Sequence, residues 1–108
     1  MNFNSQICTT VEQSQRLLSL GLKKETADCC YLWRWESDSH FLYANSWKDI
    51  HSSKSDIPAW SLHRLMWLVF NSGATHVELF DDEDAYEVLI YNIEWRIKKG
   101  YFNKEYLV

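Results

Sequence analysis

The sequence predicts an α+β domain in which three main helices pack on a small, mainly antiparallel sheet made of a hairpin and a third strand. Three observations carry that expectation. Between residues 30 and 44, large side chains recur at the two-residue period of a strand, on either side of a Ser37-Asp38-Ser39 turn. Stretches starting near residues 10, 58 and 82 instead repeat their apolar residues at helical spacing. A length of 108 residues fits one domain with one core.

The first helix is read over residues 10–20. Thr9-Thr10-Val11-Glu12 fits a capping box, with Thr9 as the cap and Glu12 reaching back to it. Val11, Leu17, Leu18 and Leu20 supply an apolar face, and Gly21 suits the position after the last turn. Lys23 to Asp28 is polar and reads as a short turn of helix. Strands follow at Cys30 to Glu36 and His40 to Ala44, and their pairing is expected to gather Tyr31, Trp33, Trp35, Phe41 and Tyr43 on one side. A two-stranded hairpin is marginal alone, so a third strand is required. Thr75 to Phe80 alternates loosely and is assigned that role.

Asn45 to Asp56, polar and rich in serine, reads as the longest loop. The sole proline then restricts Ile57, so the central helix is expected to start at Pro58 and to end at Asn71-Ser72-Gly73. Ala59, Leu62, Leu65, Met66, Val69 and Phe70 form its core stripe, while Trp60 and Trp67, seven residues apart, fall on another side with Arg64. The last helix is read from Asp82 to Lys99, capped by Asp81, with Lys98 and Lys99 at its negative pole and Gly100 beyond. Ala85, Tyr86, Leu89, Ile90, Ile93 and Ile97 form its broad apolar side. Val88, Tyr91 and Trp95 form a second strip, which the apolar tail from Tyr101 to Val108 is placed to cover.

Composition restricts the function. A net charge of -4 is the wrong sign for neutralising phosphates or for meeting an anionic membrane surface. Cys8, Cys29 and Cys30 are odd in number and two are adjacent, which reads as reduced thiols in a cytoplasmic protein rather than a disulfide framework. The first residues have neither a basic start nor an apolar run of a signal peptide, and the longest apolar run, Leu65 to Phe70, is too short to span a bilayer.

No catalytic, cofactor-binding or metal-ligating set is recognisable. Cys29 and Cys30 lack the spacing of a metal pair, and a site assembled from Cys29, His40 and His76 is weighed against the simpler reading of buried thiols as small hydrophobes. The acidic run Asp81 to Asp84 lacks the pattern of a calcium loop and reads as helix capping. The remaining reading is a non-enzymatic protein-interaction module whose partner is another protein or itself, as a homodimer. Its candidate surface is Trp60, Arg64 and Trp67 on one helix and Val88, Tyr91 and Trp95 on another, because aromatic residues and Arg are enriched where binding energy concentrates. The alternatives are a nucleic-acid-binding accessory protein that stacks bases on the aromatic hairpin, with Arg34 beside Tyr31, Trp33 and Trp35, and a small-ligand-binding protein or enzyme.

Taken together, Thr10-Val11-Glu12-Gln13-Ser14, Ile57-Pro58-Ala59-Trp60-Ser61-Leu62 and Asp84-Ala85-Tyr86-Glu87 resemble a set of small uncharacterised proteins of phages, prophages and mobile elements of gut bacteria. The middle segment is the most specific of the three. The resemblance implies a bacterial or phage cytoplasmic setting, and it transfers no activity and no site residue.

Overall fold

A computed structural model describes residues 6–34, 39–43, 56–74 and 84–108. Within them the chain is α+β. Three helices, α1 (Val11–Ser19), α2 (Leu62–Phe70) and α3 (Ala85–Lys99), accompany an antiparallel sheet of β1 (Cys29–Arg34), β2 (Ser39–Tyr43) and β3 (Ile57–Ala59) in the order β2-β1-β3. Short 3-10 turns at Lys24–Thr26 and Lys104–Tyr106 complete the elements. The strand expected at 75–80, the 45–55 part of the expected loop, and Asp81 to Glu83 lie outside the described residues.

The capping box of α1 is present one residue later than expected. The Thr10 hydroxyl accepts from Gln13 N–H at 3.1 Å and the Gln13 side chain accepts from Thr10 N–H at 3.0 Å. Thr9 is taken up elsewhere: its N–H donates to the Trp60 carbonyl at 2.8 Å, and its hydroxyl accepts from Trp60 N–H at 3.1 Å and bonds Ser14 Oγ at 2.8 Å. A buried threonine so engaged cannot also cap the helix.

The central segment departs most from expectation. Ile57, Pro58 and Ala59 are a strand rather than a helix start, and α2 begins only at Leu62, with the Ser61 hydroxyl accepting from Arg64 N–H at 3.1 Å. Proline is as well suited to a strand edge that needs no N–H as to the first turn of a helix. Ser61 N–H turns towards the β1 side, where the Asp28 carboxylate accepts it at 2.8 Å, and Trp60 turns the other way to Thr9. By the alternation of a strand, Pro58 shares the orientation of Trp60, so its missing N–H removes nothing from the ladder with β1.

The hairpin register also corrects the expected aromatic face. Tyr31 and Trp33 lie opposite Leu42 and His40, whereas Cys30 and Leu32 lie opposite Tyr43 and Phe41. These pairs are one residue out of the register that would set Tyr31 and Trp33 opposite Tyr43 and Phe41.

One core joins α2, α3 and the sheet. Leu17, Leu22, Cys30, Trp60, Leu65, Leu68, Val69, Leu89, Ile90 and Ile93 are all but inaccessible to solvent. The α2 stripe is rotated from its expected position: Leu68 is buried and Phe70 is exposed. Starting the helix at Leu62 removes Ala59 from it and shifts the buried arc. Helix α3 starts at Ala85 with Asp84, not Asp81, as its cap, the Asp84 carboxylate accepting from Tyr86 N–H at 2.9 Å. It ends at Gly100, whose φ of 76° lies in the left-handed region that glycine adopts without strain.

Trp60 and Ser61 set the first two stability expectations. The buried Trp60 indole N–H donates to Thr26 Oγ1 at 2.9 Å. Trp60→Phe deletes that donor and part of the core volume, and is expected to lower unfolding free energy by about 2–3 kcal/mol. Ser61→Ala removes the α2 cap and one of two groups bonded to Asp28, for a loss of about 1–2 kcal/mol. Urea unfolding should show both as lower midpoints at unchanged slope.

Candidate functional site

The structure separates the six sequence-predicted interaction residues. Trp60 is withdrawn from the surface, with 0% of it exposed. Its seven-residue spacing from Trp67 has no helical meaning, because Trp60 lies in the extended segment before α2. Trp67 stays on the helix but is half-covered by its own chain: the Arg64 guanidinium lies 4.8 Å from its ring centre and the Tyr106 ring packs on it at 5.4 Å, leaving 39% exposed. Lys23, Glu25 and Glu105 rim an open groove of about 460 Å³ beside this cluster. Both charge signs alternate around it, so it singles out no ligand.

Val88, Tyr91 and Trp95 form a different surface. At about 100° per residue they cluster on one line of α3, opposite the buried Tyr86, Leu89, Ile90 and Ile93. The tail does not cover this strip as expected. Phe102 turns into the core, Lys23 N–H donates to the Tyr106 carbonyl at 2.8 Å, and Val108 N–H donates to the Gly21 carbonyl at 2.7 Å. The tail is thereby tied to the turn after α1. Only Tyr101 reaches the strip, stacking on Trp95 at 5.8 Å. Tyr91 is left 65% exposed and Trp95 43% exposed.

Charged side chains frame the strip. Arg16 of α1 binds Glu87 at 3.2 Å and Glu94 at 2.8 Å, and Lys98 binds Glu94 at 3.2 Å. Gln13 adds a bond from its amide to Glu87 at 2.8 Å. The Arg16 hydrogen bond, helped by Lys98, holds the Glu94 carboxyl below the ordinary range, and the same contact raises the Arg16 guanidinium. This clasp fixes α1 along one flank of α3. Beside Arg16, on the outer face of α3, lies a shallow, open hollow of about 480 Å³ lined by Arg16, Asp84, Glu87, Val88 and Tyr91. Arg16 was not recognised in the sequence as part of this surface, whereas Tyr101 belongs to the tail expected to cover it. The helical wheel of α3 alone shows the strip, but the clasp joins residues more than seventy positions apart.

The thiols form a second cluster. Cys8, Cys29 and Ala59 pack together with Tyr31 on one face of the sheet, and all three cysteines are free and buried. A hydrogen bond between Cys8 and Cys29 lowers the Cys8 thiol and, together with burial, raises Cys29 far above the ordinary range. Burial likewise raises Tyr31, whose hydroxyl donates to the Thr9 carbonyl at 2.8 Å. The Asp28 carboxylate opposes thiolate formation at both thiols, whereas hydrogen bonds with Cys29 and Tyr31 favour it at Cys8. Among the described residues no three His, Cys, Asp or Glu side chains converge to hold a metal ion; His76 and the His40 side chain lie outside them. No helix of the described residues is long and apolar enough to cross a membrane.

Comparison with protein-family models, curated proteins and solved structures finds no match.

Burial sets an expectation for reactivity. Cys8, Cys29 and Cys30 are all buried, with Cys8 and Cys29 packed around Ala59. A water-soluble thiol reagent is therefore expected to label them slowly in the folded protein and completely in urea, read by mass spectrometry; rapid labelling of the folded protein would contradict this packing.

Proposed function

We propose that this protein is a non-enzymatic interaction module that works in a cytoplasmic setting and meets its protein partner through the outer face of α3. One observation carries the reading. Val88, Tyr91 and Trp95 form an apolar strip on the face of α3 opposite its buried side, with Tyr91 and Trp95 exposed, while the tail is fastened elsewhere. Contiguous exposed apolar surface rimmed by charge is characteristic of association sites, and Tyr and Trp are the side chains that most often carry their energy. Lone exposed hydrophobic residues need no explanation, but exposed Tyr91 and Trp95 on one helix face, with half-buried Val88 between them and the hollow and Tyr101 against Trp95, form a patch.

This surface replaces the one centred on Trp60, Arg64 and Trp67. The buried Trp60 cannot take part, and Trp67 is already stacked between Arg64 and Tyr106.

The test is a paired capture. Tagged wild type and a Tyr91→Ala, Trp95→Ala variant are expressed in a bacterial host at equal levels, and the retained proteins are compared. The wild type is expected to retain a partner that the variant loses by tenfold or more, since truncating two central aromatic anchors removes about 2–4 kcal/mol of binding. Circular dichroism of the variant should be unchanged, because both side chains lie outside the core. Identical retention by two equally folded baits would refute the α3 face as the site.

A further inference from the structure

We propose that the partner on this face is a second copy of the same chain, docked α3 against α3 in antiparallel orientation about a two-fold axis near Tyr91 and Asn92. The inference rests on the reading of the α3 face as an interaction surface and adds the identity of the occupant.

A two-fold interface must be self-complementary, so each contact has to be supplied in both halves by one surface. The α3 face meets that condition in shape. Its C-terminal half carries the exposed Trp95, braced by Tyr101. Its N-terminal half carries the hollow lined by Arg16, Asp84, Glu87, Val88 and Tyr91. Val88 and Trp95 are equidistant from the midpoint between Tyr91 and Asn92. A rotation about that midpoint lays the partner's Trp95 over Val88, in the hollow, and sets Tyr91 beside the partner's Tyr91. Arg16 on the rim of the hollow is then placed to meet the face of the partner's indole.

The charges agree with the same rotation. Asp84 and Lys99 are also equidistant from the midpoint, so each Asp84 meets the partner's Lys99. Lys99 is exposed and forms no ion pair among the described residues. One Asp84 oxygen caps the helix through Tyr86 N–H. Glu87 comes near the partner's Lys98, extending the Arg16–Glu87 and Lys98–Glu94 bridges into one network. A parallel arrangement would instead oppose Asp84 to Asp84 and Lys99 to Lys99, and would leave each hollow facing another hollow.

Sedimentation of wild type over a wide concentration range reads the association directly. A monomer–dimer equilibrium is expected. Tyr91→Glu should abolish it with circular dichroism unchanged, and Lys99→Glu should weaken it about tenfold by turning two exposed ion pairs repulsive. Orientation is read by cross-linking: an equimolar mixture of Val88→Cys and Trp95→Cys proteins should form the mixed disulfide faster than either alone, the native thiols being buried. Three results would overturn the inference: a wild type monomeric at every concentration, a dimer that Tyr91→Glu leaves intact, or Val88→Cys linking to itself as fast as to Trp95→Cys. A monomeric wild type that still captures a different protein through Tyr91 overturns the second copy and leaves the interaction surface standing. A monomer whose capture is indifferent to Tyr91 and Trp95 overturns both.

Discussion

The fold closes on the polar groups of one dipeptide. Trp60 exchanges both backbone groups with Thr9 and sends its indole N–H to Thr26. Ser61 gives its N–H and its hydroxyl to Asp28, while the same oxygen caps α2. Three separate segments, those before α1, before β1 and at the start of α2, are tied at this point across 33 to 51 residues of sequence. Each hydrogen bond adds only about 1 kcal/mol net, but each buried partner left unmet would cost more than that. Among the described residues no buried side-chain polar atom lacks a partner. The dipeptide therefore sets register as well as stability: moving it by one residue would break the bonds of Trp60 to Thr9 and Thr26 and those of Ser61 to Asp28 together.

That closure decides which apolar surface remains outside. With Trp60 inside and Phe102 drawn into the same core, the tail runs to the turn after α1 and gives Tyr106 to Trp67. Among these aromatic residues Trp60 is thus covered from within and Trp67 in part. Those on the far side of α3 are not, because the last residues are held by Lys23 and Gly21 on another side of the molecule. The ion pairs from Arg16 to Glu87 and Glu94 contribute little to stability at such exposure. Their effect is to hold α1 beside α3, which turns a convex helix face into one with a hollow at its side.

How far the sequence was legible depended on whether a signal was local. Periodicity alone located α1, the hairpin and α3, and it picked out the Val88, Tyr91 and Trp95 strip, because helical spacing and strand alternation are written in neighbouring residues. The capping residues were each displaced, from Thr9 to Thr10 and from Asp81 to Asp84. Two adjacent threonines, or four adjacent acids, satisfy the same local rule, and the selection is made by tertiary partners such as Trp60. Pro58 was ambiguous for the same reason, since its missing N–H suits the first turn of a helix and the outward edge of β3 alike. Helical geometry was extended four residues beyond the true start of α2, which put the buried Trp60 on one helix face with Trp67. Register in the hairpin, and the approach of Arg16 to Glu87 and Glu94, are decided by pairing between distant segments and leave no trace in either segment alone.

The charges of α3 have two explanations, and only one of them bears on association. Acidic residues in a first turn and basic residues in a last turn stabilise any helix through its dipole. Asp84 and Glu87 at one end, with Arg96, Lys98 and Lys99 at the other, would be expected on a solvated helix with no partner. A helix that obeys this rule is automatically complementary to an antiparallel copy of itself, so charge permits the pairing without requiring it. What helix stability does not require is Trp95 two turns along from the hollow beside Val88. An indole there adds nothing to helix propensity, and the hollow depends on a second helix held at the side by Arg16. The proposed pairing with a second copy therefore rests on the shape of the face rather than on its charge, which an ordinary amphipathic helix would share.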